Sequence, residues 1–182
     1  MNPDRHAVFV ESNTTGSGAD FLARAKAIGL APVIITDNPV RYPFLSRLPD
    51  VEVRTCDTSS KEALSACVDD IARREPVAAI LSTSDYFLLA AAREARRLGL
   101  PGPSPGAIAS CRDKSLQAAT LFAAGVAVPY PNIVITNAAE ARHAIRTVGL
   151  PAVIKPVSGT GSTGVALVRS DKELIAAADI VL

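Results

Sequence analysis

Pro151-Ala152-Val153-Ile154-Lys155-Pro156-Val157-Ser158, then Gly159-Thr160-Gly161-Ser162-Thr163-Gly164, then Val165-Ala166-Leu167-Val168, is the stretch that decides the fold. The run from Pro151 to Val157 is apolar, β-branched and bounded by punctuating residues, which predicts a short buried strand. Val165 to Val168 predicts a second strand. A loop of Gly, Ser and Thr joins them, so the segment is expected to be a hairpin whose tip can fold over an anion. Backbone N–H groups in such a loop can point at phosphate oxygens, and Lys155 adds a full positive charge beside them. The combination points to binding of a nucleotide triphosphate; the plainer alternative is a flexible surface hairpin.

The literal pattern needs its context. Gly159, Gly161 and Gly164 satisfy G-x-G-x-x-G, but the dinucleotide fingerprint requires the loop to open a helix. A β-branched run follows here instead. A Walker A loop places Lys and Ser/Thr after its last glycine, where this chain has Val165-Ala166. A protein kinase carries its lysine on the strand after the loop, whereas Lys155 precedes it.

Composition narrows the class. The 182 residues suffice for one domain, or for one domain and part of another. At 48% hydrophobic and 20% charged, the chain reads as globular rather than disordered. A net charge of +1 gives no nucleic-acid or membrane surface. Aromatic residues, at 4%, are too few for base-stacking platforms. Cys56, Cys67 and Cys111 lack metal or redox spacing and fit small hydrophobes in a reducing cytoplasm. No signal peptide or membrane-length apolar run is read, so the expected location is cytoplasmic.

The first hundred residues alternate strand and helix. Strands are expected at Ala7–Val10, Pro32–Thr36, Val51–Thr55 and Val77–Leu81. Helices are expected at Ala19–Ile28, from Ser60 onward, and from about Asp85 to Leu98. This order implies a parallel sheet with helices on both faces. Leu98-Gly99-Leu100-Pro101-Gly102-Pro103-Ser104-Pro105-Gly106 forbids a continuous helix and marks a boundary between domains at 1–103 and 104–182. Beyond it come a helix, in one piece or two, from about Pro105 to Ala124, a strand near Ile133–Ile135 introduced by Pro129-Tyr130-Pro131, a helix over Ala138–Val148 capped by Asn137, the lysine hairpin, and a last helix from Asp171 to Ile180.

Ligands of parallel sheets gather at the C-terminal strand ends. Two polar loops are expected there, Glu11-Ser12-Asn13-Thr14-Thr15-Gly16-Ser17-Gly18 and Ser82-Thr83-Ser84-Asp85. Glu11, Ser12, Asn13 and Asp85 are candidates for substrate binding. Ser17 and Asp85 also read as helix caps. Gly16, Gly18 and Asp37 form a partial dinucleotide fingerprint that lacks its third glycine. His6 and His143 belong to no Ser-His-Asp or metal-ligand arrangement.

Taken in order, Asp113-Lys114, Gly125 to Pro129, Gly149-Leu150-Pro151, Lys155-Pro156 and the glycine loop resemble the ATP-grasp superfamily of carboxylate–amine and carboxylate–thiol ligases. The matching residues run from Leu98 to Leu174. "ESNTTGSG" and "STSDYFLLAAAREARRLGLPGPSP" are most similar to its amino-acid and dipeptide ligase branch. The resemblance implies an α/β fold: a Rossmann-like parallel-sheet preATP-grasp domain, followed by the small α+β ATP-grasp subdomain.

It further implies that Lys114 and Lys155 hold ATP phosphates and that Gly159, Thr160, Gly161, Ser162, Thr163 and Gly164 close over them. Ile154, Val157 and Val165 would wall the nucleotide. Small-molecule carboxylate and amine substrates would react through an acylphosphate, and a homodimer is one expected assembly. The family's adenine hinge and magnesium ligands have no counterpart before Leu182. The chain is therefore expected to be the N-terminal portion of a ligase, inactive alone, with ATP and Mg2+ as the parent's cofactors and a mobile glycine loop. The competing expectation is a non-catalytic nucleotide- or dinucleotide-binding module.

Overall fold

The computed structural model describes residues 5–128, 132–159 and 161–182; Pro129-Tyr130-Pro131 and Thr160 lie outside the described residues. The chain divides into two compact units, the first closing at Ile108 and the second running Ala109–Leu182.

Four strands build the first unit: β1 (His6–Val10), β2 (Ala31–Thr36), β3 (Glu52–Thr55) and β4 (Val77–Leu81). All pair in parallel in the order β3-β2-β1-β4. The crossovers are helical: α1 (Gly16–Ala27) between β1 and β2, and α2 (Lys61–Arg74) between β3 and β4; α3 (Leu88–Arg97) follows β4. Side chains alternate across the pleat, and this alternation produces two cores. Val8, Val10, Val33, Ile35 and Ile80 meet Leu64, Val68 and Ile71 of α2 and Ala91 and Ala95 of α3. Ala7, Phe9 and Ile34 meet Leu22 and Ala25 of α1 and the ring of Tyr42. Each such branched side chain stabilises the fold by about 1.5–3 kcal/mol. Strand β3 is one sheet edge, and its exposed Glu52 and half-buried Arg54 form an ion pair that disfavours further strand addition.

The second unit contains the C-terminal part of α4 (Pro105–Arg112), then α5 (Lys114–Ala123), α6 (Ala138–Val148), β5 (Ala152–Ile154), β6 (Ala166–Val168) and α7 (Asp171–Val181). Strands β5 and β6 are antiparallel, with Ala152 opposite Val168 and Ile154 opposite Ala166. One face of this hairpin packs Ile154 and Val168 against Ala141 of α6 and Leu174, Ala177 and Ala178 of α7.

Side-chain caps set several helix starts. Ser60 accepts from Ala63 N (3.2 Å), Asp113 from Ser115 and Leu116 N (2.9 and 2.8 Å), Asn137 from Glu140 N (2.9 Å) and Ser170 from Glu173 N (3.3 Å). The break at Asp113 is why the region from Pro105 onward is two helices. Three expectations change. Ser17 lies inside α1, whose N-cap is Thr15, and α3 begins only at Leu88 with Phe87 as N-cap, so neither Ser17 nor Asp85 caps a helix. Ile133–Ile135 are not a strand, because β5 and β6 pair only with each other and offer them no ladder. Ile135 instead packs onto the hairpin core as a side chain.

The first unit has a built-in alkaline weakness. Burial, with Cys67 beside it, pushes the Cys56 thiol from 9.0 up to about 12. Burial and the hydrogen bond to Glu11 push the Tyr42 phenol from 10.0 up to about 12. Both groups stay protonated in the folded unit where the unfolded chain has lost its protons. Their stabilisation is complete below the unfolded values and is lost as pH rises towards the folded ones. The urea midpoint should fall as pH rises from about 9 towards about 12, and a Cys56→Ala/Tyr42→Phe variant should lose less over the same interval. Equal losses in variant and wild type would remove these groups as the cause.

Candidate functional site

The site grows from the hairpin of the second unit. Lys155 follows the last residue of β5 and so stands between that strand and the glycine loop. The side chain is exposed and has no partner among the described residues. Across the loop stands Lys114, the first residue of α5. Its backbone N–H donates to Val157 O (2.9 Å) and its Nζ donates to Gly159 O (3.0 Å). The pair Asp113-Lys114 thus has a physical reading: the aspartate caps the helix and leaves the lysine at its first position. A cation there faces the positive end of the helix dipole, an unfavourable place unless an acceptor or anion answers it.

Local geometry is specific at two positions of the loop. Ser162 takes the left-handed conformation (φ 59°), and its carbonyl accepts from Val165 N (3.2 Å). Gly164 is also left-handed (φ 72°), and a Cβ there would come within 2.9 Å of the Pro156 ring, so only glycine lets the loop close onto Pro156. Of the expected phosphate-binding residues, Gly159 is thus joined directly to Lys114, while Gly161, Ser162, Thr163 and Gly164 follow it in the same loop.

Lys114 and Lys155 also line a cavity of about 360 Å3, otherwise walled mainly by apolar side chains such as Ile135, Val148 and Val181. Two cations at an apolar cavity suit a ligand with an anionic and an apolar part. Of the three residues expected to wall a nucleotide, Val157 lines this cavity and Val165 is exposed. Ile154 also borders it, but is buried against the α6–α7 side of the hairpin. The opposite face presents the cross-strand pair Val153 and Leu167.

In the first unit, the strand order reverses between β1 and β4, where parallel sheets open a crevice. The loops following these two strands are stitched together there. Ser12 Oγ and Thr83 Oγ1 share a hydrogen bond of 2.7 Å, and Asn13 N donates to Thr83 Oγ1 (2.9 Å). Gly18 is needed because a Cβ would come within 2.1 Å of Asn13 O. The Asn13 carboxamide oxygen accepts from Thr15 N and Oγ1 (3.2 and 2.9 Å).

Glu11 is turned inward and 1% exposed. Its carboxylate accepts from Thr36 Oγ1 (2.8 Å), Asp37 N (2.9 Å), Thr58 Oγ1 (2.8 Å) and the Tyr42 hydroxyl, with the Arg41 guanidinium 3.6 Å away. Tyr42 Oη also accepts from Ser12 N (3.1 Å), so the network reaches the next residue of the loop. Asp85 follows the Ser82–Ser84 turn and lies close in sequence to the loop of Thr83. Thr36, Tyr42, Thr58 and Thr83 were not singled out from the sequence. The available signal was Tyr42, since a buried tyrosine hydroxyl demands a partner. The dinucleotide reading finds its proposed ribose acid, Asp37, ion-paired with Arg41.

Among the described residues no group of three His, Cys, Asp or Glu is placed to hold a metal ion. No helix among them is long and apolar enough to cross a membrane.

Known families divide the chain much as the structure does. Residues 22–102 match the ATP-grasp N-terminal domain, and residues 113–181 match the ATP-binding domain of the carbamoyl-phosphate synthase L chain. The chain belongs to the ATP-grasp superfamily. Over 98% of its length it is 33% identical to the uncharacterized protein y4rH of Sinorhizobium fredii, and covers 37% of that protein. Over 51% of its length it is 32% identical to an alanine–anticapsin ligase of Bacillus amyloliquefaciens, covering 20% of it. The L-amino acid ligase from Bacillus licheniformis superposes with a TM-score of 0.79 at 21% identity, over 98% of this chain and 42% of that one. The chain thus spans well under half the length of these relatives.

Proposed function

We propose that this chain is the nucleotide-phosphate-holding part of an ATP-dependent ligase that joins a carboxylate to an amine through an acylphosphate. The observation that carries the reading is that Lys114, hydrogen-bonded to Gly159 O at the start of the glycine loop, lines one largely apolar cavity together with Lys155. Lys114, Lys155 and the loop from Gly159 to Gly164, Thr160 included, would hold the triphosphate. Their charges and N–H groups would steady the negative charge that builds up during phosphoryl transfer. The likeness to an alanine–anticapsin ligase and to the fold of an L-amino acid ligase supports amino-acid substrates. Ser12, Asn13 and Asp85, on loops at the strand ends, are the proposed substrate contacts, with Glu11 behind them. The functional division is placed at 103/104, within the proline–glycine tract. Magnesium is proposed for the whole enzyme, with ligands outside the described residues of this chain.

The test is calorimetry of the 182-residue chain with ATP, with and without magnesium. A nucleotide held by exposed phosphate contacts alone gains roughly 0–1 kcal/mol per charge pair. The expected result is weak binding, indifferent to magnesium, and no hydrolysis. Micromolar, magnesium-dependent binding would show that the segment carries a complete site. For the full-length protein given ATP, magnesium and amino acids, ADP and phosphate are the expected products. AMP and pyrophosphate would exclude the acylphosphate route.

A further inference from the structure

We propose that Lys114 is a positioning residue for the glycine loop as well as a phosphate contact: its ammonium tethers the loop before any anion arrives. The proposal rests on the anion-site reading only for the second of these roles. Both ends of Lys114 are fastened to one short segment, the backbone N–H to Val157 O at 2.9 Å and Nζ to Gly159 O at 3.0 Å. The main-chain end is held firmly, because Asp113 caps α5 immediately before it.

The side-chain end is then directed by charge. An ammonium at the first position of a helix is repelled by the helix's own N–H groups and seeks an acceptor. The nearest one taken is the carbonyl that opens the loop. The loop's far end is set by different means, Gly164 against Pro156 and Val165 N on Ser162 O. Lys114 therefore fixes the entry to the loop and the glycine packing fixes its exit. Lys155, which lines the same cavity as Lys114, has no such tie among the described residues. An ammonium has three donors, so Lys114 can keep its carbonyl while a phosphate oxygen takes another position. A bound phosphate would in this way meet a loop already in place, which lowers the ordering cost of binding.

The test is amide hydrogen exchange on the 182-residue chain without ligand, read at Val165, the loop amide that donates to Ser162 O. Lys114→Met should raise exchange there about two- to fivefold, the size expected for losing one exposed charge-assisted hydrogen bond. Lys155→Met, an equal loss of charge, should leave it unchanged, and Lys114→Arg should restore part of the protection. Unchanged exchange in β6 and α7 of each variant reports that the unit is folded. Loop exchange in Lys114→Met equal to wild type, or an equal rise in Lys155→Met, overturns the tether. Titration with inorganic tripolyphosphate keeps the two readings apart. Absence of anion binding with the exchange pattern intact would defeat the phosphate site and leave the tether standing.

Discussion

Lys155→Met in the full-length protein should lower kcat/KM for ATP-dependent phosphate release by about 10²–10³-fold, the cost of removing one preorganised group that answers charge in the transition state. The size follows from where the side chain sits. Lys155 directly follows β5 and lines the same cavity as Lys114, with no internal partner among the described residues to compensate for its loss. Lys114→Met should cost a similar factor, through a different mixture: a missing phosphate contact and a loosened loop. The double variant should therefore fall short of the product of the two, since on the proposed reading both lysines act on one phosphate group. Wild-type kinetics in Lys155→Met would remove the glycine hairpin from the proposed chemistry.

The second large effect belongs to the sheet unit. Glu11→Ala should destabilise it by about 3 kcal/mol, lowering its melting temperature by roughly 10–20 °C. Three hydroxyls and one backbone N–H, contributed by Thr36, Thr58, Tyr42 and Asp37, would lose a buried acceptor at once. Glu11→Gln keeps the shape and one carbonyl oxygen, and two of the hydroxyls can turn to accept from its amide; about half the loss is expected. Neither effect has a large backbone part, because Glu11 already sits at φ 50° and alanine and glutamine inherit the same strain. Glu11→Gly relieves the strain but not the lost acceptor, so comparing it with alanine separates the two. A melting temperature unchanged in Glu11→Ala would mean that water replaces the carboxylate at no cost.

What could be read in advance follows the range over which each cause acts. The apolar runs of β1, β2 and β4, the caps Ser60 and Asn137, and the glycine hairpin depend on neighbours within a few residues, and these are visible in the sequence. Ile133–Ile135 looked like a strand on the same local grounds, but a strand also needs a partner ladder, which no local pattern supplies. Glu11 drew attention as a carboxylate at a strand end. What it touches comes from β2, from the turn holding Tyr42 and from the loop holding Thr58, and only the folded sheet unites those. The tie between Lys114 and Gly159 was hidden for the same reason.

The strand order has a consequence for how the polypeptide comes into being. In β1, Phe9 lies between Ile34 on one side and Leu81 on the other, so the central strand lacks one of its neighbours until β4 has been made. During synthesis the nascent sheet therefore passes through a period with an unpaired, largely apolar edge, the state in which chains cross-associate most readily. The glycine hairpin is spared this, because Ile154 meets Ala166 a short way along the chain. Slowing the ribosome between β3 and β4 should thus raise the yield of aggregate, while a pause after α7 should not.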